Sequence, residues 1–288
     1  MYQFQDRVAI VTGASSGIGR ATAVLLARRG ARVVAAARNA AQLDALAEEV
    51  YRFGGTLLAQ PTDVTDAAQC AALVRRAVDS FGTIDILINN AGISMRALVI
   101  ETDTSVLRRL MEVNFWGTVH CTKAALPHLL QSRHAVLVGI SSVAGFHGLP
   151  ARSGYSASKF AMHGFLESVR IEHLPDRLQV LIVAPGFTRS DIRRHALKAD
   201  GTEQAETPMD EAHLMTPERV AAHILHAIRW RKRNRLISFE AQFIALTQRI
   251  LPRLVDRLVY HSMLREPGSP LSRRPAPGPS RLADQQES

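Results

Sequence analysis

Short apolar runs alternate with amphipathic stretches from residue 7 to about residue 240. The runs are Val8–Val11, Arg32–Ala36, Thr56–Ala59, Ile84–Ile88, Ala135–Ile140 and Gln179–Val183, with the shorter Arg235–Phe239 after them. Several are apolar throughout, as strands covered on both faces should be; a strand with one wet face would alternate. Between them, segments such as Ala21–Arg29 and Gln42–Phe53 carry apolar residues at helical spacing. Repeated strand–helix units of this kind predict an α/β fold: a doubly wound parallel sheet of about seven strands, with helices on both faces and right-handed crossovers. Ligands of such sheets bind beyond the carboxyl ends of the strands.

Composition narrows the setting more than the chemistry. At 288 residues and 47% hydrophobic content, the chain can bury one large core. Cys70 and Cys121 are its only cysteines and both fall in helix-like patterns, so no disulfide framework is expected and a reducing, cytoplasmic setting fits. Nothing at the start of the chain resembles a signal peptide, and no apolar run reaches the roughly 18 residues that would cross a bilayer. The formal charge of +9 admits an acidic partner: nucleic acid, anionic lipid or a phosphorylated cofactor. Nucleic acid is not expected, because no recognition motif or aromatic-lined basic groove is readable. No metal is expected either.

The turns after the strands hold the candidate binding residues. The first reads Thr12-Gly13-Ala14-Ser15-Ser16-Gly17-Ile18-Gly19. Glycines there let the backbone turn tightly and let a pyrophosphate reach the free N–H groups of the next helix. After the second strand comes Ala37-Arg38. Dinucleotide sites that prefer NAD place a carboxylate near this point for the ribose hydroxyls. Arg38 cannot accept those bonds but can pair with a 2′-phosphate, which favours NADP(H) over NAD(H). Asp63 and Val64 follow the third strand and are candidates for holding the adenine. Asn89-Asn90-Ala91-Gly92 follows the fourth, and Pro185-Gly186-Phe187-Thr188 the sixth; both turns suit backbone running close to a cofactor. The polar stretch Arg189–Met215 has the length of a lid or substrate loop.

Ser142 is delivered to the sheet edge by the fifth run, and Tyr155 and Lys159 stand four apart on a predicted helix. An ammonium beside a phenol favours the phenolate, so Lys159 is expected to lower the Tyr155 pKa from about 10 towards neutrality. That pair would be a proton donor or acceptor. Asn114 interrupts a long helical pattern from about Thr104 to Leu130, where asparagine is mildly unfavourable.

Taken together, these residues resemble the short-chain dehydrogenase/reductase family over roughly residues 5 to 240. The resemblance rests on Thr12 to Gly19, Asp63, Asn89 to Gly92, Asn114, Ser142, Tyr155, Lys159 and Pro185-Gly186, in the family's order. Ser142, rather than Ser141, stands at the family's usual thirteen-residue interval before Tyr155. Ala37-Arg38 is similar to the NADP-preferring branch, although Ser16 stands where many such members carry a second basic residue. The resemblance implies a Rossmann-type fold and an oxidoreductase interconverting a carbonyl and an alcohol by hydride transfer. It makes Tyr155 the acid/base, with Ser142 holding the reacting oxygen. Lys159 would tune Tyr155 and bind the nicotinamide ribose, and Asn114 would hold a water that links Lys159 to solvent. It also implies a homo-oligomer, dimer or tetramer. The rival reading is a catalytically idle dinucleotide-binding redox sensor, which would be free to lose Tyr155 or Lys159.

Past this core the chain is divided as residues 1–239, the catalytic domain; 240–265, an amphipathic helical extension; and 266–288, a disordered tail rich in proline. In the extension, Leu246, Ile250, Leu254 and Leu258 form an apolar stripe beside Arg249, Arg253, Arg257 and His261, and Pro252 is expected to split it into two helices. Residues 240–264 either pack, on their own domain or a neighbouring subunit, or make peripheral contact with an anionic membrane.

Overall fold

The structure is a computed structural model that describes residues 2–205, 214–248 and 250–273. Seven parallel strands run in the order β3-β2-β1-β4-β5-β6-β7: β1 Val8–Thr12, β2 Arg32–Ala37, β3 Thr56–Pro61, β4 Ile86–Asn89, β5 Val136–Ile140, β6 Gln179–Ala184 and β7 Asn234–Leu236. The order reverses between β1 and β4, where the crevice of a doubly wound sheet opens.

Strand pleating sorts the apolar side chains into two cores. Ala9, Val11, Val33, Ala35, Ile86, Ile88, Val136 and Val138 face α1 (Gly17–Arg28), α2 (Ala40–Arg52) and α7 (Pro217–Arg229). Ile10, Val34, Leu87, Leu137, Val180 and Ile182 face α3 (Ala67–Phe81), α5 (Gly117–Gln131) and α6 (Ser153–Glu172). Each large side chain buried in this way contributes about 1.5–3 kcal/mol. The continuous apolar runs therefore have their reason: both faces of every central strand are covered.

Strand ends shift by one to three residues from the expectation, and two of the shifts are informative. β4 begins at Ile86, and the carboxylate of Asp85 just before it accepts the Val8 N–H at the start of β1 at 2.9 Å. β7 ends at Leu236, and Phe239 already begins α8 (Phe239–Thr247). As expected, Pro252 breaks the extension and sits in the first turn of α9 (Pro252–Leu264), where a missing N–H costs nothing.

The arm docks by a stripe other than the expected one. Val255, Val259 and Met263 pack with Leu98, Ala151 and Leu271, while Leu246, Ile250, Leu254 and Leu258 are exposed. Residues 266–273, expected as the start of a disordered tail, instead hold a short 3-10 turn (Pro270–Arg273) with Ser269 and Leu271 buried. Their anchor is Glu266, which takes both oxygens to Arg152 at 3.1 and 3.0 Å and lies 3.7 Å from Arg96. The expected tail beyond 273, and Arg249, lie outside the described residues.

Candidate active site

The carboxyl edge of the sheet gathers the candidate residues. At the first turn Gly13 (φ +63°) and Gly17 (φ +52°) adopt left-handed backbone, and a Cβ on Gly13 would sit 2.8 Å from the Ala91 Cα. A Cβ on Gly19 would strike the Gly13 carbonyl. The turn is laced to the β4 turn by Thr12 and Asn90, which the sequence reading carried only as members of the two motifs and not as site residues. Thr12 Oγ1 accepts the N–H groups of Asn90 and Ala91 at 3.0 and 3.1 Å, and Asn90 Nδ2 donates to the Thr12 and Gly13 carbonyls at 2.9 and 3.1 Å. Their signal was the coincidence of a hydroxyl and an amide at two adjacent strand ends.

A dinucleotide fits this edge. α2, α3, α4 (Thr104–Met111) and α7 each begin on a side-chain cap, from Asn39, Asp66, Asp103 and Thr216. Helix α1 does not: Ser16 precedes it without a side-chain cap, and its first turn has no acidic residue. Its leading N–H groups and positive dipole end thus face the glycine turn, as a pyrophosphate requires. Ser15, Ile18 and Ala91 are partly buried around it, and Gly92 is packed so that a Cβ would stand 3.0 Å from Asn114 Oδ1 and 3.5 Å from Lys159 Nζ.

The other expected binding residues distribute themselves unevenly. Arg38 is exposed at the end of β2, following buried Ala37. Asp63 accepts from the Thr65 N–H and hydroxyl at 2.9 and 2.8 Å, and Val64 is buried against Gly117. Asn89 turns away from the edge and donates to Thr122 Oγ1 at 3.0 Å. Past β6, Pro185 is buried, Gly186 is closed against Ser238, and Thr188 donates to the Gly186 carbonyl at 3.0 Å. Ser190 lies against the Gly17 side of the glycine turn.

The catalytic candidates converge. Ser142 follows β5; its Oγ accepts the Ala144 N–H at 3.3 Å, and the hydroxyl stands near enough to the Tyr155 phenol of α6 to pull its pKa down. One turn on, Lys159 is buried; its ammonium donates to the Ile140 carbonyl at 2.9 Å and lies 5.7 Å from the Tyr155 ring centre. Burial pulls the Lys159 amine down to about 8. Burial also raises the Tyr155 pKa, against which the Ser142 hydroxyl and the Arg152 charge pull it down. The expected lowering by Lys159 is therefore corrected: here the ammonium serves the Ile140 carbonyl, and desolvation of the phenol dominates.

Asn114 lies in a π-helical turn, Glu112–Trp116, that joins α4 to α5, an arrangement common at functional sites. Its Oδ1 accepts the Ile93 N–H at 2.8 Å, while Nδ2 donates to the Ile93 carbonyl at 3.0 Å and to Ser158 Oγ at 2.9 Å. Both amide hydrogens are thus used, so a water held by Asn114 must bond to an oxygen. Ser158 passes the chain on to the Tyr155 carbonyl at 2.8 Å. One turn of α6 beyond Lys159, His163 Nε2 meets Ser141 Oγ at 2.6 Å; burial first, then Lys159 and Arg170, push this imidazole down to about 4. It is neutral at pH 7, and it gives Ser141 a partner of its own.

Comparison with known proteins agrees with this geometry. The short chain dehydrogenase family model matches residues 7–201. The chain belongs to that family of oxidoreductases, whose fold binds a nicotinamide dinucleotide. Among its relatives are bovine dehydrogenase/reductase SDR family member 7B, 35% identical over 88% of this chain and 81% of the relative, and the uncharacterized oxidoreductase YxnA of Bacillus subtilis, 33% identical over 93% and 77%. A short chain dehydrogenase/reductase from Burkholderia phymatum, solved in complex with NAD, superposes with a TM-score of 0.75 at 23% identity over 97% of this chain and 100% of that one. An alcohol dehydrogenase from Thermococcus sibiricus, complexed with 5-hydroxy-NADP, gives 0.72 at 23% identity over 81% and 96%. These likenesses establish the fold.

Proposed function

We propose that the protein is an NADP(H)-dependent oxidoreductase that interconverts a carbonyl and a primary or secondary alcohol. The observation that carries this reading is the gathering of Ser142, the Tyr155 phenol and buried Lys159 at the end of β5, with the Lys159 ammonium 5.7 Å from the Tyr155 ring centre. Nicotinamide, when bound, supplies or accepts the hydride. Tyr155 gives its proton to the carbonyl oxygen in reduction and takes it back in oxidation. Ser142 donates to the same oxygen as charge develops on it. Lys159 holds a positive charge beside the phenol and reaches the nicotinamide ribose, and Asn114 braces Gly92-Ile93 and holds a water through an oxygen.

For the other half of the cofactor, Gly13, Ser15, Ser16, Gly17, Ile18 and Gly19 take the pyrophosphate, and Asp63 and Val64 take the adenine. Ala91, Gly92, Pro185, Gly186 and Thr188 line its path, and Asn89, whose side chain is turned to Thr122, contributes only through its backbone. Arg38 takes the 2′-phosphate, with the missing carboxylate at Ala37 as support. The protein is cytoplasmic and a homo-oligomer in this reading; Trp116 and Phe160, exposed on neighbouring helices, offer a face for a second copy.

A panel of carbonyls with NADPH and of alcohols with NADP tests the activity, followed by the same assays with NADH and NAD. Arg38→Ala should weaken NADPH at least about tenfold, the worth of one charge-assisted bond, and leave NADH nearly unchanged. Equal losses for both cofactors would remove the 2′-phosphate assignment.

A further inference from the structure

Helices α8 and α9 carry more apolar surface than their docking uses. Val255, Val259 and Met263, at 1, 7 and 7% exposure, complete the contact with the domain. Leu254 and Leu258 each precede one of these valines, so they lie about 100° round the helix. Both are about half exposed, and so is Leu251. Phe243, Leu246 and Ile250 add exposed apolar side chains at the end of α8 and in the turn, with Leu246 at 72% and Ile250 at 79%. Single exposed apolar residues are ordinary; six within residues 243–258 make a surface that something covers.

The charges beside it identify the cover. Arg253 and Arg257, both exposed, each precede one of the leucines and form a basic rim. The single carboxylate of α9, Asp256, is turned to His147, with 3.6 Å between Oδ1 and Nε2. A second copy meeting this face would bring arginines to arginines, with no carboxylate on the rim of α9 to receive them. Residues 274–288 contain one large apolar side chain, Leu282, too little to cover six. An anionic bilayer satisfies both parts of the face, acyl chains taking the leucines and headgroups the guanidinium groups.

We propose that the exposed face of α8 and α9 binds the surface of anionic phospholipid bilayers. The contact is peripheral. At 13 residues, α9 is about 20 Å long and cannot cross the hydrocarbon layer, and among the described residues no helix is long and apolar enough to do so.

Co-sedimentation of the full chain with phosphatidylcholine vesicles, with and without phosphatidylserine, tests this at low and high salt. Binding should need phosphatidylserine and weaken with salt. Arg253→Glu with Arg257→Glu should lower partitioning at least about 25-fold, at roughly fivefold per lost charge. Leu254→Ser with Leu258→Ser should lower it about tenfold or more. Both variants should keep the thermal unfolding profile and the light-scattering mass of the parent, since the altered side chains are already in water. No binding by the parent, or undiminished binding by the serine variant, would overturn the proposal. A drop in mass of the serine variant would overturn it too, by giving the face to a second copy. None of these readings uses a substrate or nucleotide, so their failure is distinct from a failure of the proposed activity.

Discussion

The carboxyl edge of the sheet and the α8–α9 arm solve opposite problems. At the edge, polar groups leave water and are nearly all paired: Asn90 with two carbonyls, Asn114 with three groups, Lys159 with Ile140, His163 with Ser141. In the arm, apolar groups stay in water, and docking rests on one stripe of α9, on Gln248 and Asp256 against the Phe146–His147 turn, and on one carboxylate between two arginines. An unpaired buried polar group costs about 1–3 kcal/mol, so the edge has few tolerated alternatives. The arm can be rebuilt with little penalty wherever its surface is already wet. That difference decides where substitutions should be felt.

The largest effect on the arm is expected at Glu266. Glu266→Gln leaves the Arg152 and Arg96 charges close together with no carboxylate between them, and breaking a buried ion cluster from one side costs about 3–5 kcal/mol. Hydrogen exchange of the α9 amides should speed up by the corresponding factor, while the sheet keeps its protection. Unchanged α9 protection would show that the apolar stripe alone holds the arm.

At the edge, His163 gives a pH-dependent counterpart. Its folded pKa of about 4 lies below the ordinary 6.5, so the unfolded chain binds the proton more readily. Stability from this group is complete above pH 6.5 and is lost as pH falls towards 4. Denaturant titrations should show the parent losing up to roughly 3 kcal/mol more than His163→Gln across that window. Parallel pH profiles would mean that the imidazole is not held neutral by its surroundings.

A finer comparison uses adjacent residues of α9. Val259→Ala should destabilise docking by about 1–2 kcal/mol, whereas Leu258→Ala should fall within about 0.5 kcal/mol of the parent. Equal effects in thermal unfolding would erase the distinction between the buried and exposed stripes.

The same contrast explains what could be read from the sequence. The glycine turn, the Tyr155–Lys159 spacing and the helix irregularity at Asn114 follow from backbone geometry within a few residues, and each stands where the pattern put it. The partners of those groups were less legible. Ser158 and His163 matter because of atoms 44 and 22 residues away, and Arg152 and Glu266 are 114 apart. In the arm, the sequence reading marked one apolar stripe, Leu246–Ile250–Leu254–Leu258, and passed over a second at the same i,i+4 spacing, Val255–Val259–Met263. Periodicity gives the angle between them but not which one meets the domain. Shape did that, through Leu98, Ala151 and Leu271. The pKa of Tyr155 was misjudged for a related reason: i,i+4 spacing brings Lys159 near, but the direction of its ammonium is set by the Ile140 carbonyl.

The central claim is that Tyr155 moves the proton at a dinucleotide edge built largely without it. Tyr155→Phe removes one hydroxyl and little binding surface. With a substrate from the carbonyl panel, its turnover should fall by about 10²–10⁴ or more, while NADPH fluorescence titration gives nearly the parent affinity. Turnover near the parent's rate, with the same substrate and intact NADPH binding, would contradict the account.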